Sequence, residues 1–291
     1  MLSLQNLSDQ TSSTPLHHIS FEINERDFFV IYGPDGSGKS SLLRHILCEE
    51  TAGEGQIYYR ETDVHYLSRS QQKEIQYVPN VTPDLSDKKG LSCLEYLVRA
   101  KKQARGSEGL SPEKVLDYFN LIPSTALADL SVSDGKLMLI LAALCAGPDF
   151  LILDEPYNYL NDRSFHMLMA LLKVLNEDGL TILLTATSFE EVNGYVNHAL
   201  YLRDGYVITS FACDTKLPMV KLVTLEGGDP ELLEAQLGAP VSCTADFRSY
   251  LCNAEPEELS QILSSCHAEE SNVLIELRSI EEVLEMHYYK K

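Results

Sequence analysis

The segment that most constrains this chain is Gly33-Pro34-Asp35-Gly36-Ser37-Gly38-Lys39-Ser40, which fits the pattern GxxxxGK[ST]. It lies between an apolar run, Phe28 to Tyr32, and an apolar-periodic helix read from Leu42. Glycines in such a turn let consecutive backbone N–H groups point inward around phosphate oxygens with no Cβ in the way. Lys39 would bring a point charge to the β- and γ-phosphates, Ser40 a hydroxyl for Mg²⁺, and the following helix its N-terminus. The expected nucleotide-binding set is Gly33, Pro34, Asp35, Gly36, Ser37, Gly38, Lys39, Ser40 and Ser41. The rival reading is a plain glycine-rich strand–helix turn.

A second segment completes the first. Phe150-Leu151-Ile152-Leu153 reads as a buried strand that delivers Asp154 and Glu155 to its end. Asp154 would hold Mg²⁺ through its waters, and Glu155 would polarise the water that attacks a γ-phosphate. Alone, the two acids read as a solvated strand end; beside Lys39 they make a triphosphate site.

Further strands are expected at Leu180 to Ala186 and Ala199 to Leu202, with a helix at Arg163 to Leu175. Strands alternating with helices indicate a mostly parallel sheet covered on both faces. Residues 90–125 read as a helical insertion, with one helix over Leu91 to Ala104 and another starting at Ser111-Pro112-Glu113, Ser as N-cap. After Ala212 the texture changes: residues 214–291 carry 15 acidic and 6 basic residues. Strands at Val220 to Leu225 and Asn272 to Leu277, and helices at Pro230 to Leu237 and Pro256 to Cys266, suggest a small α/β appendage.

Composition closes off other classes. The 291 residues, 44% apolar, carry 23 Lys+Arg against 43 Asp+Glu, a formal charge of −20. Such a surface repels phosphate backbones and anionic lipid, so nucleic acid is not expected as a partner. The longest apolar run, Leu137 to Ala146, is far short of the ~20 residues of a membrane-spanning helix. No secretory signal is visible at the N-terminus, which points to a cytoplasmic protein. Seven cysteines without a CxxC pair read as reduced thiols.

Together these residues resemble the ATP-binding subunit of ABC transporters over residues 2–210. Leu151-Ile152-Leu153-Asp154-Glu155-Pro156 is similar to that family's Walker B run, and Asp204-Gly205 to its closing strand pair. The segment Arg278-Ser279-Ile280-Glu281-Glu282-Val283-Leu284 is similar to the tail of drug-, lantibiotic- and bacitracin-type exporter ATPases. The resemblance implies an α/β P-loop NTPase core with a parallel sheet, an N-terminal antiparallel β subdomain and a helical subdomain at about 88–135. The ATP-binding domain would span 1–212 and a small C-terminal α/β domain 215–291. It also implies ATP and Mg²⁺ as cofactors, a head-to-tail dimer with a second ATP-binding subunit, and an integral membrane permease as partner. The chain would then lie on the inner face of the membrane as an exporter's motor.

Four motifs depart from the family pattern. The signature LSGGQ falls on Leu130-Ser131-Val132-Ser133-Asp134, where Ser131 keeps a hydroxyl for the partner's γ-phosphate but Val132 and Ser133 replace glycines. A two-residue slip would instead use Ser133-Asp134-Gly135-Lys136. The Q-loop glutamine, a Mg²⁺ sensor, falls on Asn80, and the switch histidine on Thr187, which has no titratable nitrogen. The adenine-stacking aromatic falls on Thr11, and the D-loop acid on Asn161. The motifs that hold ATP within one subunit are intact, while those that reach across the dimer are altered. That pattern favours a working nucleotide subunit with reduced or partner-dependent hydrolysis over a dead relic; the alternative function is a regulatory subunit that binds nucleotide beside a competent ATPase. His17, His18 and His198 read as surface or capping residues, and Lys101, Lys102 and Arg105 as solvated charge.

Overall fold

The computed structural model describes residues 1–10, 14–83, 85, 88, 90–102, 109–213, 220–226, 229, 232–233, 242–243, 247–252, 262–265 and 273–278. The chain divides into two compact units, Met1–Cys213 and Asp214–Lys291.

The first unit contains two sheets. β1 (Leu2–Asp9), β2 (Leu16–Ile23), β4 (Glu54–Tyr59) and β5 (Thr62–Asp63) form an antiparallel sheet in the order β2-β1-β4-β5. Along β1 the buried positions shift from Leu2 and Leu4 to Leu7 and Asp9. The register breaks between Leu4 and Leu7, and Asn6 there has φ 51°, a left-handed conformation that Asn tolerates better than most residues.

The second sheet combines β3 (Phe28–Tyr32), β6 (Ile75–Val78), β7 (Phe150–Leu153), β8 (Thr181–Ala186), β9 (His198–Arg203) and β10 (Tyr206–Ala212). Its order is β10-β9-β3-β8-β7-β6, parallel throughout except for β10. Every residue of β3, β7 and β8 is buried, which explains why these strands read as unbroken apolar runs. Because β3, β6, β7 and β8 run the same way, the segments that follow them emerge along one edge of the sheet. In open parallel sheets that edge is where ligands bind.

Helix α1 (Lys39–Ile46) lies between the sheets, its Leu42, Leu43 and Ile46 sharing a core with Leu4 and Ile19 on one side and Phe29 and Ile152 on the other. It begins three residues before the apolar periodicity does, because left-handed Gly38 ends the loop and Lys39 opens the helix. At its far end His45 Nδ1 donates to the Ser41 carbonyl at 2.8 Å, while Nε2 lies 3.3 Å from Asp9 Oδ2, tying α1 to β1.

α2 (Arg69–Glu74) precedes β6 with a capping box at Ser68 and Gln71. α3 (Cys93–Lys102) packs on α4 (Pro112–Tyr118) and α5 (Val132–Cys145). Ser111 does occupy the N-cap of α4, but its hydroxyl bonds the Glu113 carboxylate at 2.8 Å rather than a backbone N–H. The apolar run Leu137–Ala146 forms most of α5, so the helical region extends past residue 135. α6 (Asp162–Glu177) is capped by Asn161 and connects β7 to β8.

The second unit contains an antiparallel sheet of β11 (Val220–Glu226), β12 (Ser242–Cys243), β13 (Phe247–Cys252) and β14 (Val273–Arg278), in the order β12-β13-β11-β14. Most of the two helices expected there lies outside the described residues. No helix among the described residues is long and apolar enough to cross a membrane.

Ile152, fully buried at the centre of β7, tests the sheet. Ile152→Ala should destabilise the first unit by about 2–5 kcal/mol in urea titration, and a loss under about 0.5 kcal/mol would contradict the packing described.

Candidate functional site: a phosphate loop facing two buried acids

After β3 the chain turns through Gly33–Gly38, with Gly36 at φ 78° and Gly38 at φ 106°, values that L side chains rarely adopt. A Cβ on Gly33 would run into the carbonyl oxygen of Leu202. The loop is braced from β9–β10 as well: Gly205 N donates to Ser37 O at 2.9 Å, which gives the Asp204-Gly205 turn its place in the site. Pro34, Asp35, Gly36 and Ser40 are exposed, whereas Ser37, Gly38, Lys39 and Ser41 are buried. Ser37 Oγ is buried with no hydrogen-bond partner among the described residues. The first N–H groups of α1 have no partner inside the helix. This donor-rich hollow fits an anion.

Lys39, 4% exposed, turns back into the loop. Its Nζ donates to Gly33 O at 2.7 Å and Pro34 O at 3.1 Å, and lies 3.3 Å from Glu155 Oε1. Asp154 and Glu155 follow β7, both buried, Glu155 with φ 42°. Thr185, on neighbouring β8, joins the two acids: its Oγ1 donates to Asp154 Oδ1 at 2.6 Å and accepts from Glu155 N at 2.9 Å. The other oxygen of the Glu155 carboxylate, Oε2, accepts from Asn80 Nδ2 at 2.7 Å and from Asn158 Nδ2 at 2.9 Å. Asn80 Oδ1, the atom a metal would use, accepts from Asn158 Nδ2 at 3.2 Å. In this structure Asn80 therefore serves Glu155. The Ser40 hydroxyl and the Asp154 carboxylate remain as hard oxygen donors of the kind Mg²⁺ takes while keeping several waters.

Thr187, past the end of β8, has its own partners. Tyr157 OH donates to Thr187 Oγ1 at 3.0 Å and accepts from Thr187 N at 3.1 Å, and Thr187 Oγ1 reaches Glu191 Oε1 at 3.3 Å. Burial pushes the Tyr157 phenol up to about 12, with the Glu155 and Glu191 charges acting in the same direction, so it remains a protonated donor. Ser131 caps α5, its Oγ accepting from Asp134 N at 3.1 Å and donating to Asp134 Oδ2 at 2.8 Å. Ser133 Oγ accepts from both nitrogens of Asn161, at 3.0 and 2.9 Å. Gly135 and Lys136 are buried inside α5, so the slipped signature alignment would place its last two residues in the interior.

The structure thus brings together Gly33 to Ser41, Asp154, Glu155 and Asn80 at one sheet edge. Thr187 follows the strand that carries Thr185, and Ser131 lies away from them at the head of α5. His17 stacks on Tyr206, His18 bonds Asn6, and His198 pairs with Asp27, all outside the site. Thr11 lies outside the described residues. Sequence reasoning missed Thr185, Asn158, Tyr157 and Lys136. Lys136 did leave a signal, as the lone cation of its helix, directly before the apolar run that starts at Leu137.

Residues 16–158 match the family described as ABC transporter. An uncharacterized ABC transporter ATP-binding protein of Methanocaldococcus jannaschii is 26% identical over 68% of this chain and 92% of its own length. The nickel import ATP-binding protein LarO of Lactiplantibacillus plantarum is 28% identical over 66% of this chain and 84% of its own length. The Nod factor export ATP-binding protein I of Rhizobium meliloti is 28% identical over 76% and 67%. Two solved structures share the fold. An ATP-binding cassette captured as a dimer after hydrolysis, with ADP and Pi, covers 74% of this chain and 99% of its own (TM-score 0.59, 24% identity). The ATP-binding subunit of an ABC transporter covers 91% and 99% (TM-score 0.64, 20% identity). Over residues 16–158 the chain is similar to the nucleotide-binding domains of the ABC transporter family, and it shares their fold.

Lys136 supplies a pH test. Burial lowers its pKa to about 8, against the Asp154 charge that raises it. The folded state therefore gives up this proton before the unfolded state does, and stability relative to Lys136→Met should rise between about pH 8 and 10.5, by on the order of 3 kcal/mol. Urea titrations across that window measure it, and a pH-independent difference would contradict the assignment.

Proposed function

We propose that this chain is the ATP-hydrolysing motor subunit of an ABC-type exporter, acting on a separately encoded membrane permease. The observation that carries the reading is the meeting of Lys39 with Glu155, 3.3 Å apart and both buried, at the edge where the phosphate loop and the two acids emerge.

On this reading each residue has a role that its contacts support. Lys39 is held by two carbonyls and one carboxylate. A bound triphosphate offers its ammonium several negative oxygens in place of one carboxylate, each unit of charge worth about 4 kcal/mol at 4 Å and an effective dielectric of 20. Lys39 then leaves Glu155 Oε1, while Asn80 and Asn158 keep hold of Oε2. The freed Oε1 is the base that orients and polarises the attacking water. Thr185 keeps Asp154 aimed at the cation. Mg²⁺, held by Ser40 and through water by Asp154, would neutralise charge on the β- and γ-phosphate oxygens. Ser131 would face the nucleotide of a second cassette, exchanging its bond to the Asp134 carboxylate for one to the γ-phosphate.

Coupling to the permease would run through the helical region and the Asn80 loop. A groove of about 610 Å³, lined by Val78, Pro79, Tyr96, Arg99 and Leu139 among others, offers a concave seat there. The named relatives work in both directions. Export rests on the C-terminal unit, whose sequence ends like the tails of exporter ATPases.

One observation favours a second reading, a regulatory subunit paired with a competent ATPase: the switch position is Thr187, its hydroxyl engaged by Tyr157 and Glu191. Turnover separates the two. With the chain as motor, Glu155→Gln keeps Mg-ATP affinity and lowers turnover of the assembled transporter by on the order of 100-fold or more, whereas Lys39→Ala loses the affinity. Unchanged turnover in the Glu155→Gln complex would establish the regulatory reading instead.

A further inference from the structure

Lys136 is fully buried within α5, yet no carboxylate pairs with it among the described residues. Its Nζ donates to Pro79 O at 2.6 Å and lies 6.0 Å from the centre of the Tyr159 ring. Taking an ammonium out of water costs several kcal/mol, and one carbonyl and a ring face return only part of that. A methionine or leucine would fill the same space at lower cost, so packing alone does not account for a lysine here.

The carbonyl it holds is well placed. Pro79 follows β6 directly and has no N–H, so its oxygen is its single backbone hydrogen-bonding group. Both lone pairs are used, one by Lys136 and one by Val81 N at 3.0 Å. Asn80 sits inside the turn these bonds close, and its amide holds Glu155 Oε2. The same stretch of α5 packs on the loop beyond: a Cβ on Gly135 would come within 3.2 Å of the Pro83 ring. From the head of α5 a continuous path runs through Lys136, Pro79 and Asn80 to Glu155.

We propose that Lys136 is a positioning residue of the hydrolysis site, fixing the Pro79–Asn80 turn against Glu155 so that movement of α5 is passed to the carboxylate that activates water. Ser131 heads that helix, so engagement of this chain's signature segment by the partner's nucleotide would be felt at this chain's own base. The proposal rests on the hydrolytic reading above.

Lys136→Met removes the donor and keeps the length; Lys136→Gln keeps a donor too short to reach, and serves as a second variant. In the assembled transporter both should lower kcat on the order of 10-fold or more, with Mg-ATP affinity within about twofold of wild type. Asn80→Ala should cost as much, and the Lys136→Met/Asn80→Ala double variant no more than Asn80→Ala alone. Amide exchange at Val81, measured without nucleotide, should quicken about 10-fold or more in Lys136→Met. Additive losses, an unchanged kcat, or unchanged Val81 exchange would overturn the proposal while leaving the ATPase reading intact. A wild-type complex whose turnover survives Glu155→Gln would overturn the reading itself, and the proposal with it.

Discussion

Lys39 and Glu155 lie beyond the ends of two strands, β3 and β7, that do not touch. β8 lies between β3 and β7, yet the two side chains meet at 3.3 Å, because the chain turns inward after each strand along the same sheet edge. Removing one partner of such a buried pair typically costs 3–5 kcal/mol, so the contact constrains everything that flanks it. The left-handed glycines let the loop double back to receive the lysine. Thr185, on the strand between, sets the spacing by bonding the side chain of one acid and the backbone of the other.

The same contact makes the site responsive. Each oxygen of the Glu155 carboxylate has a different kind of partner, a cation on Oε1 and two neutral amides on Oε2. An incoming polyanion competes only for the cation. On the proposed reading, loading the loop would unmask one oxygen while the amides keep the other in place, so that binding and activation of the base would be a single electrostatic event.

Much of this was legible in the sequence, and for physical reasons. A strand buried on both faces must be apolar at every position, which is why Phe28–Tyr32 and Phe150–Leu153 stood out, and a phosphate loop needs glycine where φ is positive. The misses are long-range. Tyr157 and Thr187 are 30 positions apart, as are Glu155 and Thr185, and no local pattern announces that they meet. Asn80 bonds both Glu155 and Asn158, contacts 75 and 78 positions away that no local pattern announces. The bulge at Asn6 was equally hidden, since it breaks the alternation by which strands are read. Two of the replaced residues have found partners within their own chain: Thr187 with Tyr157 and Glu191, and Ser133 with Asn161.

The most direct measurement is a crystal structure of the first unit within the full chain, bound to Mg²⁺ and a non-hydrolysable ATP analogue. The expected result has Lys39 Nζ withdrawn from Glu155 and set against the β- and γ-phosphates, the cation on Ser40 and Asp154, and the Asn80–Glu155 hydrogen bond intact. A nucleotide bound away from the Gly33–Ser40 loop, or a bound nucleotide with the Lys39–Glu155 pair unbroken, would contradict it.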